Sequence, residues 1–252
     1  MKKILFVINT MGRAGAEMAM LELMRRLPEE EYEISLYVVL GQGELVRELP
    51  GHVKVLNSTY RDTSVLSQHG RRHIQKTVIQ SFFRHGRWFR KLFYLASVAF
   101  EMKKRQKFQL DKLCWRMISD GGEYPKEEYD LAIAYLEGGA TYFTADHVKA
   151  RKKAAFVHID YGNAGYSRRM DKDCYAKFDK IFAVSDEVRV NFLRVYPEWE
   201  EKTAVFHNIV NRERILGLAD LPGGFTDSFD GIRLLTVGRL TYQKAYDIAV
   251  SA

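Results

Sequence analysis

Residues 236–247 combine residue types that are suited to holding a diphosphate. An apolar run ends at Gly238, Arg239 follows it, and Lys244 stands where a helix is expected to begin. Two fixed positive charges beside the positive end of a helix dipole match the charge of two linked phosphate groups. The alternative is an arginine and a lysine on a solvated loop, which is the usual position of these residue types.

A glycine-containing turn near the start of the chain is a second candidate anion site. Gly12 and Gly15 are three residues apart and lead into a predicted helix that contains Glu17. This spacing is neither that of a dinucleotide-binding turn nor that of a P-loop. The free N–H groups of the helix N-terminus still favour an anion, while a simple tight turn is an equally weighted interpretation.

Polar residues also follow two predicted strands in the middle of the chain. Glu137 follows the run 129–135, and His158 follows the run 153–157, with Asp160 and Tyr161 directly behind it. Open parallel sheets bind ligands at the carboxyl ends of their strands. The competing interpretations are a solvent-exposed loop acid for Glu137 and an ordinary strand-ending histidine for His158.

The positive charge of the chain is concentrated in one segment. The net charge is +7, but residues 70–107 contain eleven Lys or Arg and a single acid, Glu101. Aromatic residues are interleaved at helical spacing, which suits a solvated helical face, a membrane surface or a nucleic acid, in that order of preference. The expected membrane-contact residues are Arg84, Arg87, Trp88, Arg90 and Lys91.

Composition excludes several classes of protein. Two cysteines, with no C-x-x-C pair, exclude a disulfide framework and make a structural zinc site improbable, so no metal or cofactor is expected. No apolar run approaches the roughly 20 residues of a membrane span, and the N-terminal apolar run is interrupted at Asn9. We expect a cytoplasmic protein, at most peripheral on the inner face of the plasma membrane.

The order of the predicted elements indicates the fold class. Apolar runs at 3–8, 32–40 and 53–56 alternate with helical patterns at 15–27 and 44–49. This βαβαβ order opens a doubly wound parallel sheet of the α/β class, which is Rossmann-like. Ser185 is expected to cap a helix through Val188.

Domain boundaries follow from composition. Residues 1–210 are expected to form one domain with a helical basic insertion at about 68–119, and 211–231, rich in glycine, read as a linker. A strand at 232–237 and a helix from Ala245 then open a second, Rossmann-like domain. A complete second domain would need about 100–150 further residues, so we expect the chain to be a fragment.

Four patches, in order, resemble the GT4-type retaining glycosyltransferases of the GT-B fold, especially those of bacterial capsule and exopolysaccharide synthesis. They are Gly15-Ala16-Glu17, residues 156–160, residues 183–185 with 207–211, and residues 238–245. The resemblance covers nearly the whole chain, and the last patch is the most specific.

The resemblance implies a nucleotide-sugar donor and a glycan or lipid-linked acceptor. The basic, aromatic segment adds an anionic membrane surface as an expected partner, and no nucleic acid is expected. Arg239 and Lys244 would bind the donor diphosphate without a metal, and Gly12 and Gly15 would let backbone approach it. His158 would lie near the transferred sugar, orienting hydroxyls or stabilising an oxocarbenium-like state. Glu17, Glu137, Asp160 and Tyr161 would lie on the acceptor side.

Two departures from the family pattern bear on activity. Ala245 stands where the family usually has glycine, and we expect a mild effect if its φ is negative. The family's donor-binding carboxylates would lie after residue 252, so this chain alone is expected to have negligible transferase activity. The alternatives are a nucleic-acid- or membrane-binding module without enzymatic activity, and a GT-B sugar-nucleotide epimerase.

Overall fold

The computed structural model describes residues 1–86, 88–104, 110–224, 226–238 and 244–251. Its centre is one open sheet of seven strands, every pair of which is parallel. The strands are β1 (Lys2–Ile8), β2 (Tyr32–Val38), β3 (Lys54–Val55), β4 (Glu128–Ala134), β5 (Lys149–Val157), β6 (Lys180–Ala183) and β7 (Thr203–Val205).

The strand order confirms the predicted fold class. The order is β3-β2-β1-β4-β5-β6-β7, so the chain builds outward from β1 in one direction and then from β4 in the other. Ile4 lies beside Ile34 of β2 and Leu131 of β4, which places apolar residues of three strands side by side. This is a Rossmann-like, doubly wound α/β sheet, and its carboxyl edge is the edge where such sheets bind ligands.

Helices cover the sheet and fill the connections between strands. Short 3-10 turns occur at Glu44–Glu48, Cys174–Lys177 and Pro197–Lys202. The α-helices are α1 (Gly15–Arg25), α2 (Gln68–Phe83), α3 (Trp88–Lys104), α4 (Leu110–Asp120), α5 (Gly139–His147), α6 (Arg168–Asp171), α7 (Asp186–Val195), α8 (Arg212–Ala219) and α9 (Tyr246–Ser251).

Local signals in the sequence correctly located two helix ends. The Ser185 hydroxyl accepts a hydrogen bond of 3.2 Å from the Val188 N–H, as the capping pattern predicts. The basic helical region ends at Asp120, directly before Gly121 and Gly122. A Cβ at Gly121 would lie 2.4 Å from the Ser81 side chain, so close packing of α2 against α4 requires glycine there.

The basic insertion is three helices, α2, α3 and α4, and α3 is apolar on two sides. Tyr94, Val98 and Met102 are buried against the core. The outward side carries Phe89, Leu92, Phe93 and Phe100, whose exposed fractions are 66%, 51%, 77% and 72%. The preferred prediction, an apolar face on the core opposite a solvated basic face, is therefore wrong for α3, because its outward face is itself largely apolar. In the described residues, none of the helices is both long and apolar enough to cross a bilayer.

The chain divides into two compact units, Met1–Asn211 and Arg212–Ala252. The second unit differs from prediction at two places. Part of the expected linker is helix α8, and the expected strand at 232–237 is not formed. Ile232, Leu234 and Val237 are 89%, 92% and 87% exposed. A strand needs a neighbour to pair its N–H and C=O groups, and no described residue supplies one here.

Candidate functional site

The carboxyl edge of the sheet brings together residues from β1, β4 and β5. The Asn9 amide, after β1, donates to the Glu137 carbonyl at 3.0 Å and accepts from the Ala140 N–H at 2.7 Å. The His158 N–H, after β5, donates to Glu137 Oε2 at 3.1 Å. Asn9 therefore caps α5 and fixes the β4–α5 loop against the ends of both neighbouring strands.

Two glycines allow this close approach. Gly138 has φ of +80°, a conformation that side-chain-bearing residues rarely adopt. A Cβ at Gly139 would lie 2.8 Å from Asn9 Oδ1 and 2.6 Å from the Trp115 ring. The tight loop at this edge therefore requires glycine at both positions 138 and 139.

Glu137 is buried, and the prediction of a solvent-exposed loop acid is wrong. Only 4% of the residue is exposed, because the β4–α5 loop folds back over the sheet edge. Burial raises the pKa of its carboxyl, while the hydrogen bond from the His158 N–H opposes the shift and the nearby Glu17 charge adds to it. Glu17 is itself buried and accepts a hydrogen bond from the Thr10 hydroxyl at 3.2 Å.

The His158 side chain is a neutral imidazole with one free nitrogen. Burial lowers its pKa to about 4, opposed by a hydrogen bond from the ring to the Tyr135 backbone. Nε2 has no hydrogen-bond partner among the described residues, so the backbone bond is made through Nδ1. A ring that donates through Nδ1 presents the Nε2 lone pair as an acceptor.

Tyr135 is a second unpaired group at the same place, and sequence analysis missed it. Its ring lies 5.4 Å from the His158 ring, between centroids, and it stacks on Phe156 at 4.5 Å. Its hydroxyl is buried without a partner in the described part of the chain, and burial raises its pKa, so it remains a donor. The position of Tyr135 directly after β4 is visible in the sequence. A tyrosine at the end of an apolar run is, however, ordinarily interpreted as a residue of the hydrophobic core.

Asp160 and Tyr161, which follow His158 closely, are both engaged in hydrogen bonds within the protein. Asp160 accepts hydrogen bonds from the Asn163 N–H at 3.2 Å and from the Asn163 side-chain amide at 2.8 Å, which closes a turn. Tyr161 is fully buried, and its hydroxyl donates to Asp171 at 2.8 Å. Tyr142 and Tyr196 also donate to Asp171. Tyr161 is part of this buried network, and so the expectation that it lines a cleft is wrong.

The first βα turn leaves open space at one glycine. A Cβ at Gly15 would meet no atom within 4 Å, and at Gly12 it would meet only the Val65 side chain at 3.8 Å. Neither glycine has a positive φ. The backbone at this turn therefore does not itself require glycine, although Gly15 keeps the start of α1 uncovered.

The expected diphosphate pair lies in the second unit. Lys244 is exposed, and Arg239 lies outside the described residues. Ala245 has φ of +50°, so the expectation of a negative φ is wrong. This left-handed conformation costs an alanine about 1–2 kcal/mol, and glycine would adopt it without that cost.

The five predicted membrane-contact residues separate into different environments. Lys91 is buried, and its ammonium donates to the carbonyls of Ser81 at 2.6 Å, Phe82 at 3.3 Å and Arg84 at 2.8 Å. It caps the C-terminus of α2, so its assignment to a membrane surface is wrong.

The other four predicted contacts are not buried where they are described. Arg84 donates to the Gly121 carbonyl at 3.3 Å and lies 3.5 Å from Glu123. Trp88 and Arg90 are exposed, and Arg87 lies outside the described residues.

The sheet edge holds one unpaired hydrogen-bond acceptor and one unpaired donor, which are the two kinds of group that a hydroxyl can bond. His158 supplies an acceptor and Tyr135 a donor, side by side and both unpaired. Among the described residues, no three His, Cys, Asp or Glu side chains are grouped closely enough to hold a metal ion. Models of known protein families give no match to the chain, and comparison with curated protein sequences gives none either.

Proposed function

We propose that this chain carries the acceptor-side domain, and the beginning of the donor-binding domain, of a glycosyltransferase. The reaction moves a sugar from a nucleoside-diphosphate sugar to a glycan or lipid-linked acceptor in surface polysaccharide synthesis, with retention of configuration. The observation that carries the proposal is the unpaired pair at the sheet edge, Tyr135 Oη and His158 Nε2. The Rossmann-like fold is compatible with it.

A sugar hydroxyl placed between the two groups would accept from Tyr135 and donate to His158, which would pair two buried polar atoms that are now unpaired. Both atoms are closed to solvent in this structure. Leaving such atoms unpaired costs about 1–3 kcal/mol each, so the site favours a hydroxyl-bearing ligand over an apolar one. Glu137 holds the His158 backbone in place and is not free to act as an exposed base.

In this proposal the second unit supplies the charge for the leaving group. Lys244, with Arg239, would stabilise the nucleoside diphosphate as the bond to the sugar breaks, without a metal ion. His158 would orient hydroxyls and, as a neutral ring, avoid repelling the positive charge that develops on the sugar. No nucleic acid takes part.

The test is sugar transfer by the chain extended through a complete donor-binding domain. Labelled UDP- and GDP-sugars are supplied with a membrane lipid extract, and Tyr135→Phe and His158→Gln are compared with the unchanged protein. We expect about 10-fold and about 100-fold losses of transfer rate, the size that one positioned hydrogen-bonding group contributes. His69→Gln, at an exposed histidine on α2, is the matched control.

Two results would contradict the proposal. One is the absence of both nucleotide-sugar binding in calorimetry and sugar transfer. The other is transfer that is unchanged in Tyr135→Phe and His158→Gln. Supplying donor without acceptor separates transfer from epimerisation, because an epimerase changes the donor alone.

A further inference from the structure

A cavity of about 500 Å³ lies between the basic insertion and the end of α5, beside α3 and α4. One wall is a stack of three rings. The centroids of His85 and Tyr124 are 4.7 Å apart, and those of Tyr124 and His147 are 4.2 Å apart with planes at 5°. We call this cavity the basic pocket; its main lining residues are His85, Arg90, Tyr94, Tyr124, His147 and Lys172.

The ring wall is held in place by hydrogen bonds at both ends. His147 Nε2 is 3.0 Å from Asp120 Oδ1, and His85 Nε2 is 3.1 Å from the Gly122 carbonyl. The pocket is therefore formed before any ligand arrives, which lowers the entropic cost of binding.

Cations outnumber acids around the basic pocket. Arg90, Lys91, Arg116 and Lys172 line it, and Asp120 is the one carboxylate among its described lining residues. The Lys172 ammonium lies 4.4 Å from the centroid of the Tyr94 ring. Burial lowers the pKa of Lys172, and the charges of Arg116 and Arg90 lower it further.

Two of these cations are free to meet a ligand. Lys91 donates to three carbonyls, and Arg116 is paired with Asp146 at 2.7 Å, so both act as fixed charges behind the wall. Within the described part of the chain, Arg90 and Lys172 have no carboxylate in ion-pairing range. An anion in the pocket would gain from all four charges and would relieve their mutual repulsion.

The outward apolar side of α3 adjoins this pocket. Successive helix residues are about 100° apart, so Arg90 lies between the outward Phe89 and Phe93 and the inward Lys91 and Tyr94. A soluble anion would make no favourable contact with the exposed phenylalanines at the rim of the pocket. A molecule with a charged head and a hydrocarbon body can contact both surfaces.

We infer that the basic pocket binds the terminal phosphate of an anionic lipid, with the outward aromatic side of α3 against the hydrocarbon region. The pocket is separate from the sheet-edge site, since His147 precedes β5 and His158 follows it. The nine residues of β5 span about 30 Å at roughly 3.3 Å each. Lipid binding and sugar transfer can therefore fail independently.

The test is flotation of the protein with phosphatidylcholine vesicles containing phosphatidic acid or phosphatidylserine at matched surface charge. We expect at least five-fold tighter binding to phosphatidic acid, whose phosphate is terminal. Arg90→Gln combined with Lys172→Asn should lose that preference and weaken binding about 25-fold, since each surface charge contributes about five-fold. Asn suits the positive φ of +46° at Lys172.

Further variants separate the outcomes. Phe93→Ser should weaken vesicle binding about five-fold or more while leaving the shifts of the His147 ring in an NMR titration with inorganic phosphate unchanged. Arg26→Gln, at an exposed arginine after α1, should bind vesicles as the unchanged protein does.

Three results would overturn the inference. They are equal binding to the two lipids, wild-type binding by the folded double variant, and displacement from vesicles by a short oligonucleotide. Urea unfolding of each variant confirms that it folds. If the double variant is unfolded, Arg90→Gln alone is tested instead. Loss of the preference for phosphatidic acid in that variant supports the inference, and an unchanged preference contradicts it.

Discussion

The backbone N–H of His158 donates to Oε2 of Glu137 over 3.1 Å, which ties the end of β5 to the loop after β4. The contact holds the imidazole by its own backbone, while the ring bonds the Tyr135 backbone. A buried carboxyl and a half-buried histidine thus lie side by side without an ion pair between their side chains. Each of them makes stability depend on pH in a way that can be measured.

Glu137→Gln is expected to become more stabilising as pH rises. The folded-state pKa of this carboxyl is raised, chiefly by burial. Stability is therefore fully present below the ordinary value of 4.5 and falls as pH rises from there through the raised pKa, because the unfolded chain ionises first. Glutamine keeps an acceptor oxygen for the His158 N–H and does not ionise.

The measurement is urea unfolding of both proteins at pH 5 and pH 8. The stability difference between Glu137→Gln and the unchanged protein should grow between those values. Glu30→Gln, at an exposed glutamate, is the matched control and should show no such growth. A difference that stays constant with pH would contradict the burial argument.

His158 is expected to impose the opposite dependence at lower pH. Its folded pKa of about 4 lies below the ordinary 6.5. The stability is present above pH 6.5 and is lost as pH falls toward 4, reaching about 3 kcal/mol when both states are protonated. His158→Gln should remove this slope in urea unfolding, and NMR should place the titration of the ring near pH 4. A ring that titrates near 6.5 would show that the side chain is solvated.

Lys91→Met is expected to destabilise the first unit by about 2 kcal/mol. The substitution leaves the carbonyls of Ser81, Phe82 and Arg84 without their charged donor at the end of α2. Methionine keeps the apolar part of the side chain and removes the buried charge. The loss of stability is therefore smaller than the loss caused by leaving a buried charge without a partner. Arg90→Gln, one residue earlier and exposed, should change stability by less than about 0.5 kcal/mol.

Urea unfolding of the two variants is the measurement. Equal stability of Lys91→Met and Arg90→Gln would mean that water caps α2 as well as the lysine does.

Ala245→Gly is expected to stabilise the start of α9 by about 1 kcal/mol. Ala245 has φ of +50°, and its carbonyl accepts from the Ala249 N–H at 3.0 Å. Hydrogen exchange across Tyr246–Ser251 measures the effect, with slower exchange expected in the variant. Ala249→Gly, inside the helix, should speed exchange instead, since glycine there costs about 0.5–1 kcal/mol. Faster exchange in Ala245→Gly would mean that the left-handed conformation is not kept.

The amino-acid sequence by itself determined the elements of the first unit and their class. Residues 3–8, 32–40 and 129–135 predicted strands, and the structure has strands at Lys2–Ile8, Tyr32–Val38 and Glu128–Ala134. The sequence also predicted Ser185 as the N-cap of α7, and its hydroxyl accepts a hydrogen bond from the Val188 N–H. These features depend on neighbours within a few residues, through apolar periodicity and capping, so local sequence is enough to specify them.

Tertiary structure alone decided which polar groups are buried, paired or left open. The sequence suggested a solvent-exposed loop acid at Glu137 and placed Tyr135 at the end of a strand. Packing buried Glu137 and left the Tyr135 hydroxyl unpaired beside His158. Lys91 looked like a surface charge and became a helix cap. Whether a residue is buried depends on residues that are distant in the chain. The free energy of burying a polar group then depends on the hydrogen-bond partners that packing brings to it.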